Sequence, residues 1–399
     1  MRKAALPVLL LAALAGCATS SRPELTSASS APPTFAFDAA LAAAPVCQAP
    51  GLSVHAGFER AALAACTIGD DGHVHATIRA EAQPINPSPW YGMVIASQRP
   101  GETLLTLHYE GGKHRYQPWL ATENAAPVRL EAARLAVAPD RTSATLRLPP
   151  AAASLVIAQP PETIEGVLAP FEARVRSGQL SRSTAGYSLD RRPLPVYHHR
   201  PAGARGTIVI LTRQHPPETT GPQAFATFTD VLLGDSAPAR ALRQRHALMI
   251  LPLVNPDGFA HGHWRQNRGG KDLNRDWGPF TQPETTALAR AMEAEAKHAP
   301  ILAVIDFHST FRDVVYAPPL PDGPDLGQAM LAGIADDLAR EEVRIDRAHN
   351  PGNGVLKSWA KDQFGVGALT WEVGDDSPPE RTAALAEAAA RALIASTNN

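Results

Sequence analysis

The 399-residue chain has no block of like charge: Lys and Arg number 37, Asp and Glu 39, and the formal net charge is -2. That balance excludes the basic face that holds nucleic acid and the polybasic patch that holds anionic lipid. A low apolar content is missing as well. With 44% hydrophobic and 19% charged residues the chain can bury a sizeable core, so wholesale disorder is excluded. No apolar run reaches the ~18 residues that a membrane-spanning helix needs, and there is no internal repeat.

Cysteine is scarce, and each of the three has a context: Cys17, Cys47 and Cys66. Arg2 and Lys3 make a positive start, residues 4–15 are almost wholly apolar, and Gly16-Cys17 follows. This is the layout of a signal peptide. Leu14-Ala15-Gly16-Cys17 resembles the bacterial lipobox, in which cleavage leaves the Cys as a lipid-carrying first residue; an ordinary signal peptide that contains a Cys is the alternative. The expectation is a lipoprotein signal peptide over 1–17 and a lipid anchor at Cys17, which fixes a protein stably when more than one acyl chain is attached. Ala18 follows the Cys, which points to the outer membrane, facing the periplasm. In that oxidising compartment the remaining pair, Cys47 and Cys66, is expected to form one disulfide rather than two buried free thiols.

Residues 18–49, rich in Ser, Ala, Pro and Thr, read as a flexible tether. From 50 to 162 short apolar alternations are split by turn signals. His73-Val74-His75-Ala76-Thr77-Ile78 and Thr103-Leu104-Leu105-Thr106-Leu107 are examples, with Glu110-Gly111-Gly112-Lys113 as a turn. They predict a small all-β sandwich. Its His residues are scattered; His73 and His75 share a strand face, and no chemical constellation emerges. From 163 to 399 apolar strands alternate with helical stretches. Strands are expected at 207–211, 248–254, 301–307 and 368–373, and helices at 225–233, 284–297, 326–340 and 379–395. The pattern predicts an α/β fold, a mixed and mainly parallel sheet with helices on both faces.

In open α/β sheets, sites gather beyond the carboxyl ends of strands. Here those ends run into Arg213-Gln214-His215-Pro216-Pro217-Glu218, into Asn255-Pro256-Asp257-Gly258, into Asp306-Phe307-His308-Ser309, and into Glu372 after Thr370-Trp371. Two His and a Glu, His215 and Glu218 three apart with His308 distant, fit a three-ligand zinc site that keeps a fourth position open. Pro216-Pro217 places the first pair on a rigid loop rather than a helix.

The wider pattern resembles the zinc carboxypeptidases (the funnelin family), particularly their cytosolic-type subfamily. Arg213 to Thr219 resembles the family's R-x-HPGET segment and Leu253 to Gly258 its LNPDG. Gly262-His263-Trp264-Arg265 resembles G-x-x-R, and Asp272-Leu273-Asn274-Arg275-Asp276-Trp277 resembles DLNR-x-W. The Asp306–Ser309 and Thr370–Glu372 segments resemble the stretches that carry the last ligand and the base. The order is the family's, over roughly 200–375. The sandwich, with Ser88-Pro89-Trp90-Tyr91 and Tyr116-Gln117-Pro118-Trp119, resembles the cytosolic-type subfamily more loosely.

The resemblance implies one zinc per chain on His215, Glu218 and His308. It makes Glu372 the base that takes a proton from water and passes it to the leaving amine, and Arg265 the stabiliser of the developing oxyanion. Asn274 and Arg275 then clamp the substrate's terminal carboxylate, and Asp272 orients His215. Arg268, Lys271 and Arg312 read as surface or rim charges. Two departures stand out. Pro217 occupies a position where the pattern has Gly. The family's substrate-closing Tyr, shortly before the base, has no counterpart in Ala348-His349-Asn350-Pro351-Gly352-Asn353, where His349 or Asn350 is the candidate substitute. Counting back from Glu372, Trp359 matches a family Trp and Lys357 falls on the specificity pocket, which implies a preference for acidic terminal residues; a surface Lys on a helix starting near 355 is the plainer alternative. Three functions follow: a zinc metallocarboxypeptidase acting on peptides, a peptidoglycan stem-peptide amidase or carboxypeptidase acting on muropeptides, or a non-catalytic envelope-binding lipoprotein.

Overall fold

A computed structural model describes residues 35–83, 88–123, 125–320, 329–330, 343–348, 350, 352 and 354–398. Cys17 and the expected helix over 326–340 lie outside the described residues, apart from 329 and 330 at the latter. From Thr34 on, the chain forms one compact unit. The expected tether over 18–49 ends sooner than its composition implies. Phe37–Ala42 is a helix whose Phe37 and Ala40 enter the core, and Cys47–Ala49 is a strand paired with Leu52–His55. Cys47 is bonded to Cys66 with the Cα atoms 5.7 Å apart.

Up to residue 157 the chain forms a six-stranded and a five-stranded sheet. Alternate residues of each strand point one way. Val54, Met93, Ile95 and Val156 of one sheet and Val74, Ala76, Leu105 and Leu146 of the other therefore meet in a single buried cluster. Trp264, from far along the chain, is part of that cluster.

The rest is built on an eight-stranded mixed sheet. Its centre is four parallel strands in the order Ala247–Leu251, Thr207–Thr212, Ile301–Thr310 and Gly367–Gly374. Antiparallel strands close both edges: Ser181–Tyr187 and Pro193–His199 on one side, Val314–Tyr316 on the other, with Arg344–Asp346 beyond it. The central strands are buried on both faces, which is why they read as unbroken apolar runs. Ile208, Ile210, Ile305 and Leu369 pack under the helices Thr220–Leu233 and Pro379–Asn398. Val209, Leu211, Val304 and Ala368 pack under Pro283–Ala296 and Leu356–Phe364. Parallel alignment brings the carboxyl ends of the four central strands to one edge, and the site stands there.

Candidate active site

Residues 213–218 leave the Thr207–Thr212 strand as a loop. Arg213 takes φ +63°, whereas none of residues 214–219 has a positive φ. The left-handed bend therefore falls on Arg213 and not on Pro217, whose ring fixes a negative φ; this is how the loop accepts a proline in place of the pattern's glycine. Asn255 holds the loop from the next strand end. Its N–H donates to Arg213 O and its Nδ2 to Gln214 O, both at 3.1 Å, while its Oδ1 caps the short helix Pro256–His261 by accepting from Gly258 N. From the other side comes Arg60, fully buried between the rings of Trp90 and Phe259 at 4.0 and 4.1 Å. It donates to Pro216 O and to Glu162, which also accepts from Arg213 at 2.8 Å. Burial outweighs the attraction of Glu162 and pulls the Arg60 guanidinium down to about 9.

The loop delivers His215 and Glu218 to His308. His215 Nδ1 lies 2.8 Å from Glu218 Oε1, His308 Nδ1 lies 2.9 Å from Oε2, and the two Nδ1 atoms are 3.1 Å apart. Their outer nitrogens are engaged: His215 Nε2 donates to Asp272 Oδ1 at 3.0 Å and His308 Nε2 to Asp306 Oδ2 at 2.7 Å. With both Nε2 atoms protonated, each Nδ1 presents a lone pair, and three electron-rich groups face each other in a buried space. A cation satisfies all three. Two imidazole nitrogens and one carboxylate, each ring oriented by an outer carboxylate, are a zinc donor set with a position to spare. The surrounding carboxylates draw positive charge into this space. Burial disfavours the His308 imidazolium, but Asp306 and Glu218 outweigh it and raise it well above its ordinary value. Burial likewise pushes Glu218 up, yet His215 and His308 hold it well below the usual carboxylate range. Among the described residues this is the one group of three or more such side chains that converges for a metal.

Gly221 is needed beside this centre, since a Cβ there would stand 2.2 Å from His308 O. The helix Thr220–Leu233 can thus begin against the ligand strand, with Gly221 N donating to Ser309 Oγ at 2.8 Å. Glu372 is the register partner of His308 on the adjacent parallel strand. Its Oε2 is buried without a hydrogen-bond partner. Burial and the Glu218 charge raise it against the pull of His308, His215 and Arg265, to about 7. A carboxyl group there is balanced between accepting and releasing a proton at neutral pH.

The zinc carboxypeptidase family profile matches residues 173–387, more than half of the chain. The chain belongs to the zinc carboxypeptidase family. Cytosolic carboxypeptidase 2 of Xenopus tropicalis is 35% identical over 141 residues, 33% of this chain and 14% of that protein. The human protein of the same name is 34% identical over 138 residues, 33% and 15% of the two chains. The matched stretch is thus about a seventh of these relatives' length. A metallo-carboxypeptidase from Burkholderia cenocepacia shares the fold with a TM-score of 0.68 at 21% identity, covering 87% of this chain and 99% of that one. One from Pseudomonas aeruginosa gives 0.65 at 18%, covering 86% and 98%.

Around the His215, Glu218 and His308 cluster this member of the zinc carboxypeptidase family carries an ordered wall. Asp272 is its hub: Oδ1 accepts from His215 Nε2 and from Asn274 N at 2.9 Å, and Oδ2 accepts from Arg265 Nε at 2.6 Å. Asn274 Oδ1 accepts from Leu356 N at 3.0 Å, which leaves its amide NH2 as the donating end. The Arg275 side chain is exposed and donates through Nη1 to the Asn274 carbonyl at 2.7 Å. Lys357 is 3% exposed, in the first turn of Leu356–Phe364, and its Nζ stands 5.8 Å from the centre of the Tyr316 ring. Burial and the nearby Arg275 charge lower it to about 8, against the pull of Asp306, Glu372 and Asp346. His215, Glu218, Arg265, Asp272, Asn274, Arg275, His308, Lys357 and Glu372 therefore stand together at the one sheet edge.

Three further residues escaped sequence reading as functional. Gln214 donates to Asp306 Oδ2 at 2.7 Å and accepts from Trp277 Nε1 at 2.9 Å, so one buried chain supports His308. The third is Tyr316, whose strand pairs with that of Glu372; burial and the Glu372 charge raise its hydroxyl. Asp306 had a signal, since two residues along a strand share a face, and His308 is two away. Tyr316 had none: its three-residue antiparallel strand is set by its neighbours in the sheet, not by a motif. His349 lies outside the described residues.

Proposed function

We propose that the chain hydrolyses the C-terminal peptide bond of peptides, with Glu372 as the base and a preference for acidic terminal residues. The observation that carries the preference is Lys357. It is a buried ammonium with no carboxylate within ion-pair distance among the described residues, close enough to Arg275 and Glu372 to feel their charges. An unpaired buried charge is costly, so the pocket rejects an apolar side chain as well as attracting a carboxylate.

The residues take these roles. Asn274 Nδ2 and the Arg275 guanidinium hold the terminal carboxylate. Glu372 takes the proton of the attacking water as its oxygen adds to the scissile carbonyl carbon. Arg265 donates to the oxygen on which negative charge develops. Glu372 then gives the proton to the departing amine nitrogen as the C–N bond breaks. Zinc on His215, Glu218 and His308 supplies Lewis-acid polarisation. The lone-pair convergence of those three side chains supports its place there.

We also read residues 1–17 as a lipoprotein signal and Cys17 as the lipid anchor, with the catalytic part facing the periplasm. The Leu14–Cys17 segment and the Cys47–Cys66 bond, which suits an oxidising compartment, support this reading. Among the described residues no helix is long and apolar enough to cross a membrane.

The test is a screen of zinc-loaded protein against peptide and muropeptide libraries, read by mass. Loss of single Glu or Asp residues from peptide C-termini is the expected result. Preferential trimming of Leu, or cleavage confined to muropeptide stems, overturns the preference or the substrate class.

A further inference from the structure

We propose that Glu81, on the turn that leaves the Val74–Arg79 strand, is the positioning residue for Arg265; this rests on the reading of Arg265 as the oxyanion donor. The Glu81 carboxylate accepts three consecutive backbone N–H groups: Trp264 N at 2.7 Å on Oε2, and Arg265 N at 2.9 Å and Gln266 N at 2.6 Å on Oε1. No element of regular secondary structure supplies partners for those three donors, and left unpaired each would cost desolvation free energy. A charged acceptor makes these among the stronger hydrogen bonds a loop can have.

The surroundings give the carboxylate its purpose. Arg265 follows directly on Trp264, whose ring is buried in the N-terminal cluster. That ring approaches Gly112 so closely that a Cβ there would stand 2.5 Å from it. Gly262, at φ +61°, ends the preceding helix and turns the chain into this loop. The backbone of Arg265 is thereby fastened to the N-terminal sheets by Trp264 and Glu81. Its side chain is fastened to the active site by Nε donating to Asp272 Oδ2. With Nε engaged, the two terminal nitrogens are the ones left to meet substrate. Where they point is set by the Cα that Glu81 holds and by the Asp272 carboxylate. A chain of contacts runs from Glu81 through Arg265 and Asp272 to His215 Nε2. A residue of the β region thus sets the geometry of the oxyanion donor, although it touches neither metal ligand nor substrate.

The test is a double-mutant cycle on the zinc-loaded full chain, with an N-acylated dipeptide ending in Glu as substrate. Glu81→Ala should lower kcat by about 10²-fold, the scale of an ångström-size misplacement, while KM changes little. Glu81→Gln, which retains one carbonyl acceptor, should recover part of the loss. In an Arg265→Ala background the Glu81→Ala change should cost no further activity. Hydrogen exchange gives a second readout: the amides of Trp264, Arg265 and Gln266 should lose protection in Glu81→Ala and keep it in Arg265→Ala. Multiplicative losses in the cycle, unchanged exchange at those amides, or wild-type kcat in Glu81→Ala with an inactive Arg265→Ala overturns the assignment to Glu81 alone. An active Arg265→Ala removes the oxyanion reading itself, and the positioning role with it.

Discussion

The two halves of this molecule contribute to one site in opposite ways. The α/β region brings residues whose side chains can do chemistry, and it announces them with motifs at strand ends. The β region announces nothing, yet Arg60 holds the His215–Glu218 loop, Glu81 holds the Arg265 loop, and Arg115 donates to Asp375, three residues past Glu372, at 2.9 and 2.7 Å. The lesson is that three of the site's loops rest on another layer of the fold. Their backbone groups find partners there, because buried polar groups must. Substitutions in the two regions should therefore fail differently. The α/β substitutions should lose turnover with the fold intact, and the β ones should lose order first.

The largest effect should come from Glu372→Gln. The amide is nearly isosteric but cannot accept a proton, and loss of a general base costs about 10²–10⁴-fold. Zinc content and melting temperature should match wild type, because the buried Oε2 has no hydrogen-bond partner to lose. Elemental analysis and a melting curve beside the rate measurement check this. A variant that loses zinc along with activity would show that Glu372 supports the metal site rather than the proton transfer.

Next in size is Lys357→Ala, which tests specificity rather than rate. Breaking a buried charge pair costs roughly 3–5 kcal/mol, so the ratio of kcat/KM for peptides ending in Glu and in Leu should fall by orders of magnitude. A pH series sharpens the same point. The ammonium is lowered to about 8, so it is charged below that pH and neutral above it. The wild-type preference for Glu over Leu should weaken as pH rises through about 8, and the Lys357→Ala ratio should stay flat over the same interval. Loss of preference on the acid side instead would point to a substrate carboxylate paired with some other cation.

What the sequence made legible follows the same division. The central strands were readable because burial on both faces leaves an apolar run, and the ligands because they sit where those runs stop. Lys357 was reachable by counting back from Glu372. The outer strands Ser181–Tyr187 and Val314–Tyr316 were not, since pairing to a neighbour defines them more than composition does. Phe37–Ala42 was hidden in an Ala-rich stretch that reads as tether, although Phe37 and Ala40 are core residues. Arg60, Glu81 and Gln214 were invisible for a common reason. Each serves a site residue through a backbone group or an outer carboxylate, and the partners are 156, 184 and 92 positions away.

A smaller effect on turnover, with a larger one on the metal, should come from Arg60→Lys. Lysine keeps the charge beside Glu162 but loses the planar fork and the stacking between Trp90 and Phe259. With the contact to Pro216 O weakened, the His215–Glu218 loop is less well placed. Outer contacts of this kind typically change metal affinity about 10–100-fold. Competition with a chelator should show the loss, and saturating zinc should restore most of the rate. Unchanged metal retention would confine Arg60 to the packing of the β region.

The smallest effect on activity should come from replacing Cys47 and Cys66 by Ser together. The bond joins the Cys47–Ala49 strand to Ala65–Ile68 across 19 residues. Neither strand carries a residue that reaches the Arg60, Glu81 or Arg115 contacts. A loop of about that length contributes roughly 3 kcal/mol, chiefly by restricting the unfolded chain. The melting temperature should drop while kcat and KM stay at wild-type values below it. This variant separates the two ways the β region can matter: as a stable body, which the disulfide serves, and as a set of three positioning contacts, which it does not. A fall in kcat well below the melting range would mean that the contacts depend on the whole sheet being taut, and that the division between layers drawn from Arg60, Glu81 and Arg115 is too sharp.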